Sequence, residues 1–423
     1  MGLVSGFPIL DVNHTRFVFP WSYLCGLKHR YDMATPTAAD GRAQLPPVSN
    51  IQMVDLKAQY RAMQEEVDTA VLDVIRSGAF INGPAVKQFQ AGLEEYLRCD
   101  HVIPCANGTD ALQIAMMALG LEPGDEVIVP AFTYVATAEV IALLRLSPVM
   151  VDVDPRTFNV TAELIEPAIT ERTKAIVPVH LFGQSCDMEP IRALARKHNL
   201  FIVEDNAQAI GAEYTFRDGS KQRTGTLGDI GCTSFYPSKN LGAYGDGGAI
   251  NTNSDELAAK LRMVANHGQN RRYYHDVVGC NSRLDSIQAA ILNCKLKRLD
   301  DYGARRNAAA DHYDQALAGI DGLLTPARQA NSTHVFHQYT LRVDGGRRDA
   351  LQEYLKAAGI PSMIYYPVPL YDQAAFKGTA ANEVTFLPTT DLLCKEVISL
   401  PMHSEMDEQT LGFITDTVRS FFA

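Results

Sequence analysis

The sequence predicts an α/β fold with a mainly parallel sheet, followed by a smaller α+β region, and three observations carry that reading. Short apolar runs of strand character alternate with stretches of helical period between about residues 127 and 203. A long helical stretch from Arg283 to about Leu317 then carries the chain out of this region. Beyond it, strand-like Val335 to Val343 and a helix from Asp349 to Ala358 have the look of a small α+β domain. A chain of 423 residues, 46% of them hydrophobic, is too long for one small core, so the expected division is an extension over 1–50, a large domain over 51–300 and a small one over 301–423.

Each element has a local reason. Residues 1–50 hold Phe17-Val-Phe-Pro-Trp21 and a Thr/Ala/Pro-rich stretch up to Pro47, which predicts disorder or a start codon placed too far upstream, with Met33 the better start. An apolar hook that packs on a partner subunit is the alternative. From about Val54 to Tyr96 the pattern is helical, with Val67, Val71 and Val74 on one face and Gly83-Pro84 marking a break. Then come Val127–Val129 as a strand, Ala136–Leu146 as a helix, and Pro148–Asp152 and Ala175–Val179 as strands. Ile191–His198 reads as a helix and Phe201–Val203 as a strand.

The chemistry-bearing residues cluster at the ends of these elements. Ala106-Asn107-Gly108-Thr109-Asp110 opens a helical run through Ala118, which offers backbone N–H groups and the Thr109 hydroxyl to a phosphate, or simply an N-cap by Asn107 or Thr109. After the strand end at Pro130, Phe132 or Tyr134 supplies either a flat surface over a crevice or core filling. The strand at Phe201 runs into Glu204-Asp205, so a carboxylate stands where open α/β sheets place their ligands. Between Cys232 and Ile250 one lysine, Lys239, lies between an expected strand and a turn containing Gly242, Gly245, Gly247 and Gly248, with the hydroxyls of Ser234 and Ser238 beside it. An amine and a strand-end carboxylate are what an aldehyde cofactor with a pyridine ring requires: the amine bonds the aldehyde and the carboxylate keeps the ring nitrogen protonated.

The pieces Glu204-Asp-Asn-Ala-Gln208, Ser234-Phe-Tyr-Pro-Ser-Lys-Asn-Leu-Gly242 and Asn281-Ser-Arg-Leu-Asp-Ser-Ile-Gln-Ala-Ala290, in that order, resemble the DegT/StrS family of pyridoxal-phosphate sugar aminotransferases, from about Ile51 to the C-terminus. The resemblance implies a fold type I, aspartate-aminotransferase-like architecture with pyridoxal 5'-phosphate on Lys239. It implies phosphate contacts from the loop with Gly108 and Thr109 and from Ser234, ring stacking by Tyr134, ring-nitrogen pairing by Asp205 and a bond from Gln208 to the phenolic oxygen. It further implies a homodimer in which Asn281 reaches the neighbour's cofactor phosphate, with Arg283, Tyr365 and Tyr366 as substrate contacts. The amino donor is expected to be L-glutamate and the acceptor a nucleotide-linked keto sugar. Gly245-Asp246-Gly247-Gly248, Asn281-Ser-Arg-Leu-Asp285 and Ser399-Leu-Pro-Met-His403 resemble members that aminate C3, those acting on UDP-2-acetamido-2-deoxy-3-oxo-glucuronate for surface polysaccharides above all. Ile364-Tyr365-Tyr366-Pro367 departs from that group, which favours histidine there, and leaves a dTDP-3-keto-6-deoxyhexose as the near alternative, with a 4-keto sugar behind it. A non-enzymatic regulator on the same fold is the alternative of another class.

Composition excludes other functions. The formal charge of −11 is spread without a basic block, against nucleic acid as the main partner. Eight cysteines lie scattered without Cys-x-x-Cys pairs, and His180 and His267 have no second ligand at metal spacing, so a reducing compartment and no metal are expected. No apolar run has membrane-spanning length, and a cytoplasmic location is expected.

Overall fold

The structure, a computed structural model, describes residues 50–377 and 386–423; the expectation for the N-terminal extension lies outside them, Asn50 apart. Three helices come first: α1 (Leu56–Arg61), α2 (Gln64–Ser77) and α3 (Pro84–Leu97). Asp55 caps α1 by accepting the Ala58 N–H at 2.8 Å, Gly78 ends α2 in the left-handed region at φ +67°, and Pro84 begins α3, where its missing N–H costs nothing. Val67 and Val74 are buried and Val71 half-buried, as the helical period requires.

The chain then alternates: β1 (His101–Cys105), α4 (Gly108–Ala118), β2 (Glu126–Pro130), α5 (Ala136–Leu143), β3 (Ser147–Val151), α6 (Ala162–Ile165), β4 (Thr173–Ile176), α7 (Met188–His198) and β5 (Phe201–Asp205). A hairpin of β6 (Glu213–Thr215) and β7 (Lys221–Arg223) leads to β8 (Ile230–Ser234) and β9 (Gly248–Thr252). Seven strands form one sheet in the order β1-β9-β8-β5-β4-β2-β3, parallel except that β9 runs against both neighbours. The strands are buried on both faces: Val127 and Val129 point into a core shared with α4, α5 and α8 (Asp255–Ala265), while Ile128 joins Ile191 and Leu194 of α7 on the other side. Chemistry can therefore gather only at the strand ends.

After a hairpin, β10 (Gln269–Arg271) and β11 (Tyr274–His275), the expected single helix from Arg283 to Leu317 proves to be two, α9 (Ser286–Leu296) and α10 (Leu299–Leu317). Arg298 leaves helical geometry at φ −110°, ψ 2°, and its guanidinium returns to the Cys294 carbonyl at 2.9 Å and to Glu66 at 2.7 Å. Neither glycine nor proline marks the break, so the periodicity ran through it. The last part packs α10, α11 (Arg348–Ala357) and α13 (Glu408–Phe422) on a three-stranded antiparallel sheet, β12 (Leu323–Leu324), β13 (Tyr339–Val343) and β14 (Val397–Leu400), with α12 (Pro388–Glu396) just before β14. The strand expected from Val335 begins only at Tyr339. Phe336 stands at φ +43°, and Arg306 of α10 donates to the Phe336 and Met402 carbonyls at 2.9 and 3.0 Å, which holds residues 335–338 out of the sheet. Among the described residues no helix is long and apolar enough to cross a membrane.

His334 and His403 are buried with Nδ1 accepting a backbone N–H, from Phe336 at 2.9 Å and Glu405 at 3.2 Å, and burial pulls their pKa values down to about 3 and about 4. In the unfolded chain each takes up its proton near pH ~6.5. The stability tied to these neutral rings is thus complete above that pH and is lost as the pH falls toward 4. The urea-unfolding midpoint is expected to drop between about pH 7 and about pH 5, and to drop less in His403→Asn. An invariant midpoint across this window would contradict the assignment.

Candidate active site

The carboxyl ends of β2, β5 and β8 open onto a cavity of about 650 Å³. Lys239 enters it from the loop between β8 and β9, where its backbone N–H donates to the Tyr236 carbonyl at 2.8 Å. Its amine makes no hydrogen bond or ion pair with any described residue. Burial lowers its pKa to about 8, against the opposing pull of the Asp205 charge. A lysine so placed keeps a neutral fraction near physiological pH far larger than that of a free lysine, and that fraction is able to act as nucleophile or base.

Asp205, at the last position of β5, is 5% exposed, and both its oxygens are held. The Thr137 hydroxyl donates to Oδ2 at 2.8 Å and the Ala207 N–H to Oδ1 at 3.1 Å. Glu204, its neighbour, is fully buried and accepts the N–H groups of Gly225, Leu227 and Gly228 at 2.8, 2.5 and 2.6 Å. His180 completes that shell, with Nε2 at 2.7 Å from Glu204 and Nδ1 accepting the Cys186 N–H at 3.1 Å. Among the described residues no cluster of His, Cys, Asp and Glu suits a metal ion, and His180 serves Glu204 instead.

Gln208 is also committed: its oxygen accepts the Phe182 N–H at 2.7 Å and its nitrogen donates to the Tyr366 hydroxyl at 3.1 Å, which leaves one amide N–H for a ligand. Burial pushes the Tyr366 phenol upward in pKa. Of the two aromatic candidates after β2, Phe132 is 1% exposed and packs against Phe182 and Phe158, whereas Tyr134 is 57% exposed and borders the cavity near Tyr366. Tyr365 lines the same wall.

The opposite wall is the start of α4. Asn107 caps it by accepting the Asp110 N–H at 2.8 Å, so the cap expected as the plain alternative is present. The first N–H groups of the helix, those of Gly108 and Thr109, have no acceptor within the helix and remain for an anion. A side chain at Gly108 would place its Cβ 2.6 Å from Cβ of Ser234, and one at Gly248 would come 2.4 Å from the Asn107 carbonyl oxygen. Both glycines are there for close approach, which brings the Ser234 hydroxyl against the helix terminus.

Two buried polar atoms on this cavity have no partner among the described residues, the Thr133 hydroxyl and Nδ1 of His337, in residues 2% and 5% exposed. Orphaned groups of that kind call for a ligand. An amine, a strand-end carboxylate, an aromatic face and an anion-ready helix start around one cavity fit pyridoxal phosphate. The cavity thus brings together Gly108, Thr109, Tyr134, Asp205, Gln208, Ser234, Lys239, Tyr365 and Tyr366. Asn281 and Arg283 do not line it; Asn281 is exposed and bridges to Asn266. Thr133, Thr137 and His337 escaped the sequence reading, because a threonine beside an aromatic and a histidine in an apparent strand carry no local signal. A larger open groove of about 1330 Å³ along α2 and α3 holds none of the expected site residues.

Comparison with known proteins agrees with this arrangement. The sequence model of the DegT/DnrJ/EryC1/StrS aminotransferase family matches residues 61–419. UDP-2-acetamido-2-deoxy-3-oxo-D-glucuronate aminotransferase of Pseudomonas aeruginosa is 48% identical over 364 residues, which are 86% of this chain and 98% of the relative. A pleiotropic regulatory protein of Geobacillus stearothermophilus is 46% identical over 88% of this chain and 99% of its own length. A crystal structure of S. venezuelae DesV in complex with a ketimine intermediate covers 89% of this chain and 99% of that one, with TM-score 0.83 and 39% identity.

The lowered pKa of Lys239 is directly testable on cofactor-free chain. The rate at which it captures added pyridoxal phosphate should rise with pH through a midpoint near 8. Asp205→Asn should move that midpoint downward, since the Asp205 charge holds the lysine pKa up. A midpoint near the ~10.4 of free lysine would overturn the assignment.

Proposed function

The chain belongs to the DegT/DnrJ/EryC1/StrS aminotransferase family, and from that membership we propose that it moves an amino group from L-glutamate to C3 of a nucleotide-linked 3-keto sugar, UDP-2-acetamido-2-deoxy-3-oxo-glucuronate being the favoured acceptor. It is a pyridoxal-phosphate-dependent nucleotide-sugar transaminase. The observation that carries the reading is Lys239, an amine without a partner in the chain, in one cavity with Asp205 and the start of α4. Pyridoxal phosphate, when bound, supplies an aldehyde carbon and a ring able to accept electrons.

The chain's residues divide the work. Lys239 would hold the aldehyde carbon of the bound cofactor and, once its amine is free, would be the base that moves a proton at the reacting carbon. Asp205 presents its carboxylate to the ring nitrogen and keeps a proton there. Gln208 has its remaining N–H for the phenolic oxygen, Tyr134 covers the ring, and Gly108, Thr109 and Ser234 take the phosphate. After release of the keto acid, the same lysine serves the keto sugar in the second half-reaction, so turnover is ping-pong.

Regiochemistry at C3 is supported by the relative named for a 3-oxo sugar and by the Gly245-Asp246 turn, whose Asp246 lines the cavity. The stretch Ile364-Tyr365-Tyr366-Pro367 favours the second reading, a dTDP-3-keto-6-deoxyhexose, because it has tyrosine where uronate-specific members favour histidine. The regulatory name of one relative carries less weight here, since the amine, carboxylate and phosphate cradle are all intact. Among the described residues lining the cavity, Lys239 is the only lysine or arginine. A substrate diphosphate therefore needs cations from elsewhere, which supports a homodimer with shared sites in which Asn281 and Arg283 serve the neighbouring cavity. We assign the enzyme to the cytoplasm and to surface-polysaccharide biosynthesis.

Lys239→Ala is expected to lose both the yellow absorbance of the bound cofactor and turnover while remaining folded; retention of both after dialysis would exclude this lysine. Inactive Lys239→Ala chains mixed with inactive Asn281→Ala chains should regain some activity, because some hybrid dimers hold one complete site. Absence of recovery despite demonstrated subunit exchange would exclude sharing. Product NMR should place the new amine at C3, and an amine at C4 would refute the regiochemistry alone.

A further inference from the structure

Asp205 owes its orientation to a contact that the chemistry assigned above does not include. Thr137 lies in the first turn of α5, is 1% exposed, and sends its hydroxyl to Oδ2 of Asp205 at 2.8 Å across 68 residues of sequence. A threonine within a helix usually returns its hydroxyl to a carbonyl three or four residues back. Here that local bond is absent, and around Thr137 the helix presents Ala136, Ala138 and Val140 to an apolar core. Asp205 is the hydroxyl's one polar partner among the described residues.

With the Ala207 N–H on Oδ1 at 3.1 Å, each carboxylate oxygen carries one donor, so the plane of the group is set and a lone pair on each oxygen stays free. No other side chain among the described residues donates to it. We propose that Thr137 is a positioning residue of this enzyme, holding the Asp205 carboxylate in the plane from which it meets the ring nitrogen of the cofactor. The proposal rests on the functional reading given above for Asp205. With the hydroxyl removed, only the backbone N–H remains, and the carboxylate is free to turn about its last side-chain bond away from the ring.

Thr137→Val keeps the shape of the side chain and removes the donor, while Thr137→Ser keeps the donor. Two quantities are to be measured in each: the affinity of the cofactor-free chain for pyridoxal phosphate, and the single-turnover rate of the loaded enzyme with L-glutamate. Hydrogen bonds to charged groups lead us to expect both to fall roughly tenfold to a hundredfold in Thr137→Val. Thr137→Ser should restore them to within about threefold of wild type. In an Asp205→Asn background, Thr137→Val should have no further effect on either quantity, the sign of a residue that acts through its partner. Wild-type values in Thr137→Val, or losses that add to those of Asp205→Asn, would overturn the proposal, the second outcome marking a merely structural role. The two readings fail separately: a wild-type chain that takes up no pyridoxal phosphate on Lys239 removes the assigned function, whereas normal uptake with an indifferent Thr137 removes only this inference.

Discussion

The buried carboxylate of Glu204 is the interaction on which the site depends. Three backbone N–H groups from the turn before β8 and one imidazole N–H from the segment after β4 converge on it, with no exposure to solvent. A buried charge is tolerated only when its hydrogen bonds are complete, and removing one partner of such a set costs about 3–5 kcal/mol. The constraint has a geometric product. Glu204 ties the end of β5 to the approach to β8, so that Asp205 and Ser234, one residue beyond Glu204 and at the end of β8, occupy fixed positions on the cavity rim.

Two buried cations fasten the walls to the frame. Lys295 of α9 donates to the Gly242 carbonyl at 2.5 Å, in the loop that follows Lys239, and burial brings its pKa down to about 7. Arg306 of α10 binds the carbonyls of Phe336 and Met402 and thereby sets the segment that carries His337, its own pKa lowered by burial to about 10. Neither has a carboxylate within salt-bridge distance among the described residues. Their hydrogen bonds go to backbone carbonyls, and Nε of Arg306 is left without a partner among the described residues, a compromise that gives orientation more than net stability. Consecutive helices thus hold two separate loops of one cavity.

The features legible in the sequence were those with a short-range cause. Lys239 stood out because a strand, two serines and four glycines surround it in sequence, and Asp205 because a strand ends there. The choice between Phe132 and Tyr134 was open in the sequence, since two aromatics two residues apart fall on the same side of an extended chain, and it was the turn after β2 that buried one and exposed the other at the cavity. The break between α9 and α10 was invisible because Arg298 closes it with its own guanidinium and no glycine or proline is needed.

Taken by itself, the sequence determined the parallel α/β architecture, which follows from apolar periodicity, and the family with its cofactor chemistry, which the resemblance of three short motifs implies. The tertiary structure alone decided that Thr137 faces Asp205, that Gln208 shares its amide between Phe182 and Tyr366, and that His337 leaves a predicted strand to border the cavity. These contacts join residues separated by tens to more than a hundred positions. Such pairings are selected by packing and by the need to satisfy buried polar groups, and neither leaves a periodic trace in the chain.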